Sequence, residues 1–211
     1  MPEPLKKSEV TAEKDPSVSK QYDASASLEQ KLKDFYEIAD GQKIGMLGTY
    51  RNGIGPVSRS MAVAKRTGPD FLFLTNSNSK KIQDLQASKQ VQLSFHDSSK
   101  QDWISVTGEA VTVTNDDPRI KEIYSKPVSA WFGDLKDGVH DGGPEDPRMT
   151  LIEVQPKYVV YWKRTTGAIG MAKEIGGAVL TGGVANTGAL REVHSDEIAQ
   201  ARAKDSALSS K

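Results

Sequence analysis

No cysteine occurs among the 211 residues. That excludes disulfides, thiolate nucleophiles and cysteine-bound metals, and it suits a reducing compartment. Histidine is nearly as scarce. His96, His140 and His194 are scattered, with no metal-ligand spacing between them, so no dedicated metal site is expected. A charge surplus is missing as well: 28 basic residues stand against 28 acidic ones. A nucleic-acid partner would demand a basic excess, so none is expected. No apolar run is long enough to span a membrane. The opening MPEPLKKSEV has no hydrophobic stretch behind its lysines, so no signal peptide is expected. What is left is a chain of single-domain size, expected in the cytoplasm.

The informative stretch runs from Val57 to Leu85. Val57, Arg59, Met61 and Val63 fall on one face at the two-residue period of a strand. An arginine among apolar neighbours is costly unless hydrogen bonds or an anion satisfy it. At a strand end it can instead snorkel to water. The run Phe71 to Thr75 reads as a short buried strand, followed by Asn76, Ser77, Asn78 and Ser79, all good helix N-caps. Lys80 and Lys81 come next, where the first helical turn begins. Ile82 and Leu85 supply that helix's apolar stripe. Lysines at a helix N-terminus oppose the macrodipole. They make sense where free backbone N–H groups, a hydroxyl and two ammonium groups hold an anion, and a phosphate is the natural candidate. With Arg59 one hairpin away, the residues point to an anion site.

Residues 1 to 25 are polar and mixed in charge, which predicts a flexible tail. Ser27 and Gln30 form a capping box for a helix bearing Leu28, Leu32, Phe35, Tyr36 and Ala39 on one face, with Gly41 as its stop. Strands follow at 43–50, 57–64, 71–75, 91–96, 102–114, 149–154 and 157–162. Asn52-Gly53 marks the first turn, and Pro156 is read as the last. Gly108 lies between inward positions of opposite parity, which predicts a bulge or bend. Asn115 caps a short helix through Tyr124. The stretch 169–180 is a helix weakened by Gly176 and Gly177. The folded unit is expected over 26–200, with 201–211 fraying. Strands dominate and short turns join them. This predicts a mainly β, α+β fold: an antiparallel barrel with helices outside.

Between Ala130 and Pro147 lies a long Gly- and Asp-rich loop opening on Trp131-Phe132. A loop of that length in a compact domain is more often functional than idle. Its aspartates do not fit EF-hand spacing, and no glutamate closes the set. His140 and Asp141 offer an acid–base pair or, more simply, turn residues.

These residues, in order, resemble the pyridoxamine-phosphate-oxidase-like FMN-binding split barrels. More narrowly, they are similar to the general stress protein branch with the fungal blue-light-induced proteins. The resemblance rests on Arg59-Ser60-Met61-Ala62, Phe73-Leu74-Thr75-Asn76, Ser79-Lys80-Lys81, Trp103 to Gly108, Trp131-Phe132-Gly133-Asp134, Gly142 to Arg148, and Tyr161-Trp162. It implies a six-stranded split barrel that forms a homodimer with FMN at the subunit interface. Arg59, Ser79, Lys80 and Lys81 would hold the phosphate. Ser60, Met61, Ala62, Val63, Leu74, Thr75 and Asn76 would line the ribityl chain and ring edge. Trp103 would touch the flavin across the sheet, and Trp131 and Trp162 would flank the ring or come from the partner.

One departure matters. The true oxidases follow the last tryptophan with Arg-x-His, whereas here Trp162 precedes Lys163-Arg164-Thr165-Thr166. Pyridoxamine phosphate oxidation is therefore not expected. An FMN-dependent oxidoreductase of the general stress type is, and any nicotinamide donor would stack on the flavin, since no glycine-rich dinucleotide fingerprint is present. The alternative is a non-catalytic FMN-binding stress or light-response protein that stores or senses flavin. A lipocalin-like carrier of apolar ligands would have no use for the Ser-Lys-Lys turn.

Overall fold

In a computed structural model the chain is described over residues 4–209, with side chains to 205. One antiparallel sheet organises it. Its strands are β1 (Ile44–Arg51), β2 (Gly55–Ala62), β3 (Lys65–Thr67), β4 (Asp70–Asn76), β5 (Gln90–Asp97), β6 (Asp102–Val113), β7 (Met149–Arg164) and β8 (Gly188–Val193). The order is β2-β1-β5-β6-β7-β4-β3, with β8 on β7, and the path does not close on itself. The helices are α1 (Pro16–Ser19), α2 (Leu28–Gln42), α3 (Lys80–Ala87), α4 (Pro118–Ile123), α5 (Ala168–Thr181) and α6 (Ser195–Ser209). This is the expected α+β architecture of a split barrel. Two strands exceed the expected six, namely the short β3 and the added β8.

The alternation read from the sequence is what builds the core. Leu47, Met61, Leu93, Phe95, Ile104, Val106, Val159 and Tyr161 all face inward and are buried. Phe35, Ile38 and Ala39 of α2, Ile82 and Leu85 of α3, and Ile198 of α6 pack into the same core. A second cluster covers the other face near β4: Leu72, Ile120, Met149 and Leu151, with Leu74 and Val113 against them. Burial on both faces explains why β4 reads as a continuous apolar run.

Gly108 sits at a register shift between β6 and β7. Thr107 pairs with Tyr158 and Gly108 with Pro156, so Lys157 is the extra residue. Pro156 is therefore not in a turn. It lies inside one long strand, at the bulge that tolerates its missing N–H. A Cβ on Gly108 would collide with the Gln155 carbonyl oxygen and lie 2.9 Å from Pro156 Cα. The parity change read across Gly108 does not occur: Gly108 and Ala110 stay buried in step with Ile104 and Val106, Val111 is exposed, and only Val113 turns, to the second cluster.

Other boundaries shift. Ser27 Oγ accepts from the Gln30 N–H at 3.2 Å, but the Gln30 side chain turns to Asp34. Gly41 lies within α2, and Lys43 takes the left-handed cap at φ 52°. Asp117, not Asn115, caps α4 by accepting from the Arg119 N–H. Near the N-terminus, Tyr22 bridges Leu190 of β8, and Arg191 binds Asp23 at 2.9 Å and also Asp34. β8 and α6 have no counterpart among the expected elements, and α6 runs to Ser209, through most of the stretch 201–211 expected to fray.

Candidate anion and flavin site

Arg59 points inward from β2, opposite Leu47 of β1. Its guanidinium donates to the Leu47 carbonyl at 3.0 Å and to Thr49 Oγ1 at 2.8 Å. It also reaches Asp84 of α3 at 3.2 Å. Asp84 is buried and accepts from Arg51 at 3.0 and 3.1 Å and from the Thr49 hydroxyl at 2.8 Å. The hydrogen bond from Arg51 holds the Asp84 carboxyl below its ordinary range, against burial. Part of the anion that Arg59 requires is thus Asp84 itself. Thr49, Arg51 and Asp84 are members of this site that the sequence reading missed. One signal was present: Asp84 falls on the helical stripe of Lys81 and Leu85, as odd a place for a charge as Arg59.

The other cations lie at the start of α3. Lys81 is half-buried, and its ammonium donates to Thr75 Oγ1 at 2.7 Å. Burial lowers its affinity for a proton, and the nearby Arg59 charge lowers it further. Ser79 occupies the N-cap position, yet its hydroxyl makes no capping bond. Its Oγ is buried without a hydrogen-bond partner. A buried hydroxyl left unmatched costs about 1–3 kcal/mol. The amides of Lys80 and Lys81, first in the helix, have no intrahelical acceptor. Asn76 shapes the preceding turn: its Oδ1 accepts from the Asn78 N–H at 2.8 Å and its carbonyl from Ser79 at 3.1 Å. Lys80 is exposed and lines a cleft of about 370 Å³ with Arg51, Asn52, Ile54 and Asp84. The orphaned hydroxyl, free amides and half-buried ammonium fit a phosphate monoester.

The remaining predicted residues divide between the two faces of the sheet. Arg59, Met61 and Val63 lie inside with Thr75. Ser60 and Ala62 lie outside, where the Ser60 hydroxyl meets Met46 Sδ at 3.4 Å. Trp103 and Trp162 stand directly opposite one another on β6 and β7. They share the outer face with Ile44 and Met46, both exposed. Trp162 packs over Gly188, where an added Cβ would lie 2.6 Å from its ring. Leu74 belongs to the second cluster. Trp131 is 87 % exposed and is not brought to the other tryptophans by any described contact. Its loop is fixed nonetheless. Arg148 binds buried Asp146 at 2.7 Å and the carbonyls of Phe132 and Gly133 at 3.1 and 2.8 Å. His140 pairs with Asp137 at 2.6 Å rather than with Asp141.

The segment after Trp162 is tied into the fold. Lys163 binds Glu37 at 3.0 Å and Asp102 at 3.7 Å, and the Arg164 N–H donates to Asp102 at 2.7 Å. Among the described residues, no group of His, Asp and Glu could hold a metal ion, and no helix is long and apolar enough to cross a membrane.

The family described as pyridoxamine 5'-phosphate oxidase like matches residues 30–186. Protein bli-3 of Neurospora crassa is 37 % identical over 187 residues, spanning 87 % of this chain and 89 % of that protein. General stress protein 26 of Bacillus anthracis is 27 % identical, with a TM-score of 0.52, over 64 % of this chain and 92 % of its own. A pyridoxamine 5'-phosphate oxidase-related, FMN-binding protein of Nostoc punctiforme shares the fold at 12 % identity. Its TM-score is 0.51, over 67 % of this chain and 87 % of its own.

Proposed function

The chain belongs to the pyridoxamine 5'-phosphate oxidase-like family, and from that premise we propose that it binds FMN at the Ser79–Lys81 turn as a homodimer and uses it as a flavin-dependent oxidoreductase. The observation that carries the flavin reading is the unpartnered Ser79 Oγ beside Lys81 and Arg59. A phosphate there would accept from Ser79, from the Lys80 and Lys81 amides and from the Lys81 ammonium. Arg59, already held by Leu47, Thr49 and Asp84, would add its charge without moving. Bound FMN would supply one- and two-electron transfer, while the protein supplies placement and polarity. The outer-face pair Trp103 and Trp162 offers the flat apolar surface on which a ring and its partner subunit would rest.

Pyridoxamine phosphate oxidation is not part of this reading. Where the true oxidases carry Arg-x-His, this chain has Lys163, bound to Glu37 and Asp102, and Thr165, whose N–H donates to the Thr187 carbonyl. The same observation favours a second reading, a non-catalytic FMN-binding stress or light-response protein.

An absorption spectrum of the purified protein, followed by FMN titration with riboflavin as control, tests the site. A flavin spectrum and a preference for FMN over riboflavin of ten-fold or more are expected. A colourless protein that ignores FMN at millimolar concentration overturns the proposal. Anaerobic bleaching by NADH or NADPH at catalytic rates separates the oxidoreductase from the non-catalytic reading.

A further inference from the structure

Two arginines share one buried carboxylate, and the share is unequal. Leu47, Thr49 and Arg51 fall on one face of β1 at the two-residue period. Asp84 reaches the last two from α3. Arg51 meets it with a side-on fork, Nε to Oδ1 at 3.0 Å and Nη2 to Oδ2 at 3.1 Å. Paired charged bonds of this kind are stronger and more directional than a single contact. Arg59 brings one contact only, Nη2 to Oδ2 at 3.2 Å. The same oxygen already accepts the Thr49 hydroxyl at 2.8 Å. The other Arg59 bonds, from Nη1, go to neutral oxygens of Leu47 and Thr49.

Proton affinities follow the same division. The fork to Asp84 raises that of Arg51 above the ordinary arginine value. Arg59 lies below it, because burial outweighs what Asp84 returns, and Arg51 pushes it down further. The charge of Asp84 is thus directed mainly to Arg51, and Arg59 keeps a positive charge that nothing fully balances. Arg59 Nη1, Thr49 Oγ1, Asp84 Oδ2 and Arg59 Nη2 close a ring at the tip of the guanidinium. That ring fixes the group and leaves its Nε edge without a partner among the described residues. A bare carboxylate in the place of Asp84 would hold Arg59 equally well, but it would also cancel its charge and repel a phosphate.

We propose that Arg51 is a positioning residue of the anion site: without touching the phosphate, it neutralises Asp84 through the fork, so that Asp84 and Thr49 orient Arg59 while the charge of Arg59 stays free for the ligand. This rests on the phosphate reading above and adds a residue outside the contacts that reading invokes. A plain clamp between β1 and α3 would hold the fold and leave ligand preference untouched.

The probes are FMN and riboflavin, whose affinity ratio isolates the phosphate. The ratio is measured by fluorescence titration on the full-length native chain, on Arg51→Gln, on Asp84→Asn and on the double variant, with circular dichroism of each. Arg51→Gln should lower the ratio roughly ten-fold, the size of a coupled charge pair. Once Asp84→Asn is present, the same change should alter it by less than about two-fold, because no carboxylate is left to neutralise. Removing both partners of a buried pair is also milder for the fold than removing one. Arg51→Lys, which keeps a charge but not the fork, repeats the comparison should Arg51→Gln not fold. A loss of about three-fold is then expected with Asp84 in place and none once Asp84→Asn is added. An unchanged ratio in the Arg51 variants makes the pair a clamp and overturns the proposal. An equal loss in both backgrounds means that Arg51 meets the phosphate itself across the cleft it lines with Lys80, and overturns it too. A native chain that does not prefer FMN to riboflavin overturns the underlying phosphate reading, and shows this before any variant is made.

Discussion

Ser79 and Lys81 both carry a burial cost that a bound anion would relieve. An N-cap serine ordinarily contributes about 1 kcal/mol. Ser79 makes no capping bond and buries an unmatched hydroxyl. Ser79→Ala is therefore expected to leave thermal stability unchanged or slightly raised while weakening FMN five-fold or more. Differential scanning fluorimetry and flavin titration of one preparation check both halves, and a destabilised variant with unaltered affinity would contradict the assignment.

Lys81 gives the pH signature. Burial, then Arg59, lowers its proton affinity in the folded chain. The sign follows: below that lowered value the charged ammonium costs stability, and the cost fades as pH rises towards the ordinary lysine value of about 10.4. A bound dianion repays the cost. FMN affinity is then expected to fall on the alkaline side earlier than an ordinary lysine titrates, and on the acid side near the phosphate's second pKa of about 6. Riboflavin, without a phosphate, should show neither limb. Arg59 was legible in the sequence because it broke an apolar alternation. Asp84 was not read, because an aspartate four residues after Lys80 looks like an ordinary exposed helix pair. Its place beneath Arg51 and Arg59 is shown only by the tertiary hydrogen bonds that both arginines donate to it.

At the scale of elements, the β6–β7 ladder is the structure's least forgiving part. Gly108→Ala would drive its methyl into the Gln155 backbone. Backbone on both strands of a central ladder cannot yield as a side chain would, so a loss of more than about 3 kcal/mol is expected, read from the denaturation midpoint. A loss under 1 kcal/mol would mean that the bulge relaxes. The bulge was foreseeable at Gly108, whereas Pro156 misled, since proline signals a turn wherever a bulge is not considered. Most of the sheet was readable because one buried face imposes period two. β8 was hidden because it is six residues long and alternates weakly, with only its terminal residues buried. α6 was hidden because its described buried positions are few, Ile198 and Ala201. Its place is set by remote partners such as Asp70 with Arg202, 2.6 Å apart. Such pairings belong to the tertiary fold, and no local pattern announces them.

For the whole molecule, where the proposed flavin site lies relative to the proposed subunit boundary has a thermodynamic consequence. A ligand that binds only the folded protein stabilises it by about 2.7 kcal/mol at 100 times its dissociation constant. For a chain of this size that is a rise of roughly 5–11 °C in Tm. If one chain made the whole site, the rise would be the same at every protein concentration. If the phosphate end belongs to one protomer and the ring rests against its partner, FMN binds the dimer alone. Tm should then climb with protein concentration, and FMN should move the monomer–dimer midpoint to lower concentration. Scans across about 1–100 µM protein with FMN held in excess distinguish the cases. A flavin-induced shift that is flat over that range would place every necessary contact within a single protomer, and the outer tryptophan face would then serve association without serving the cofactor.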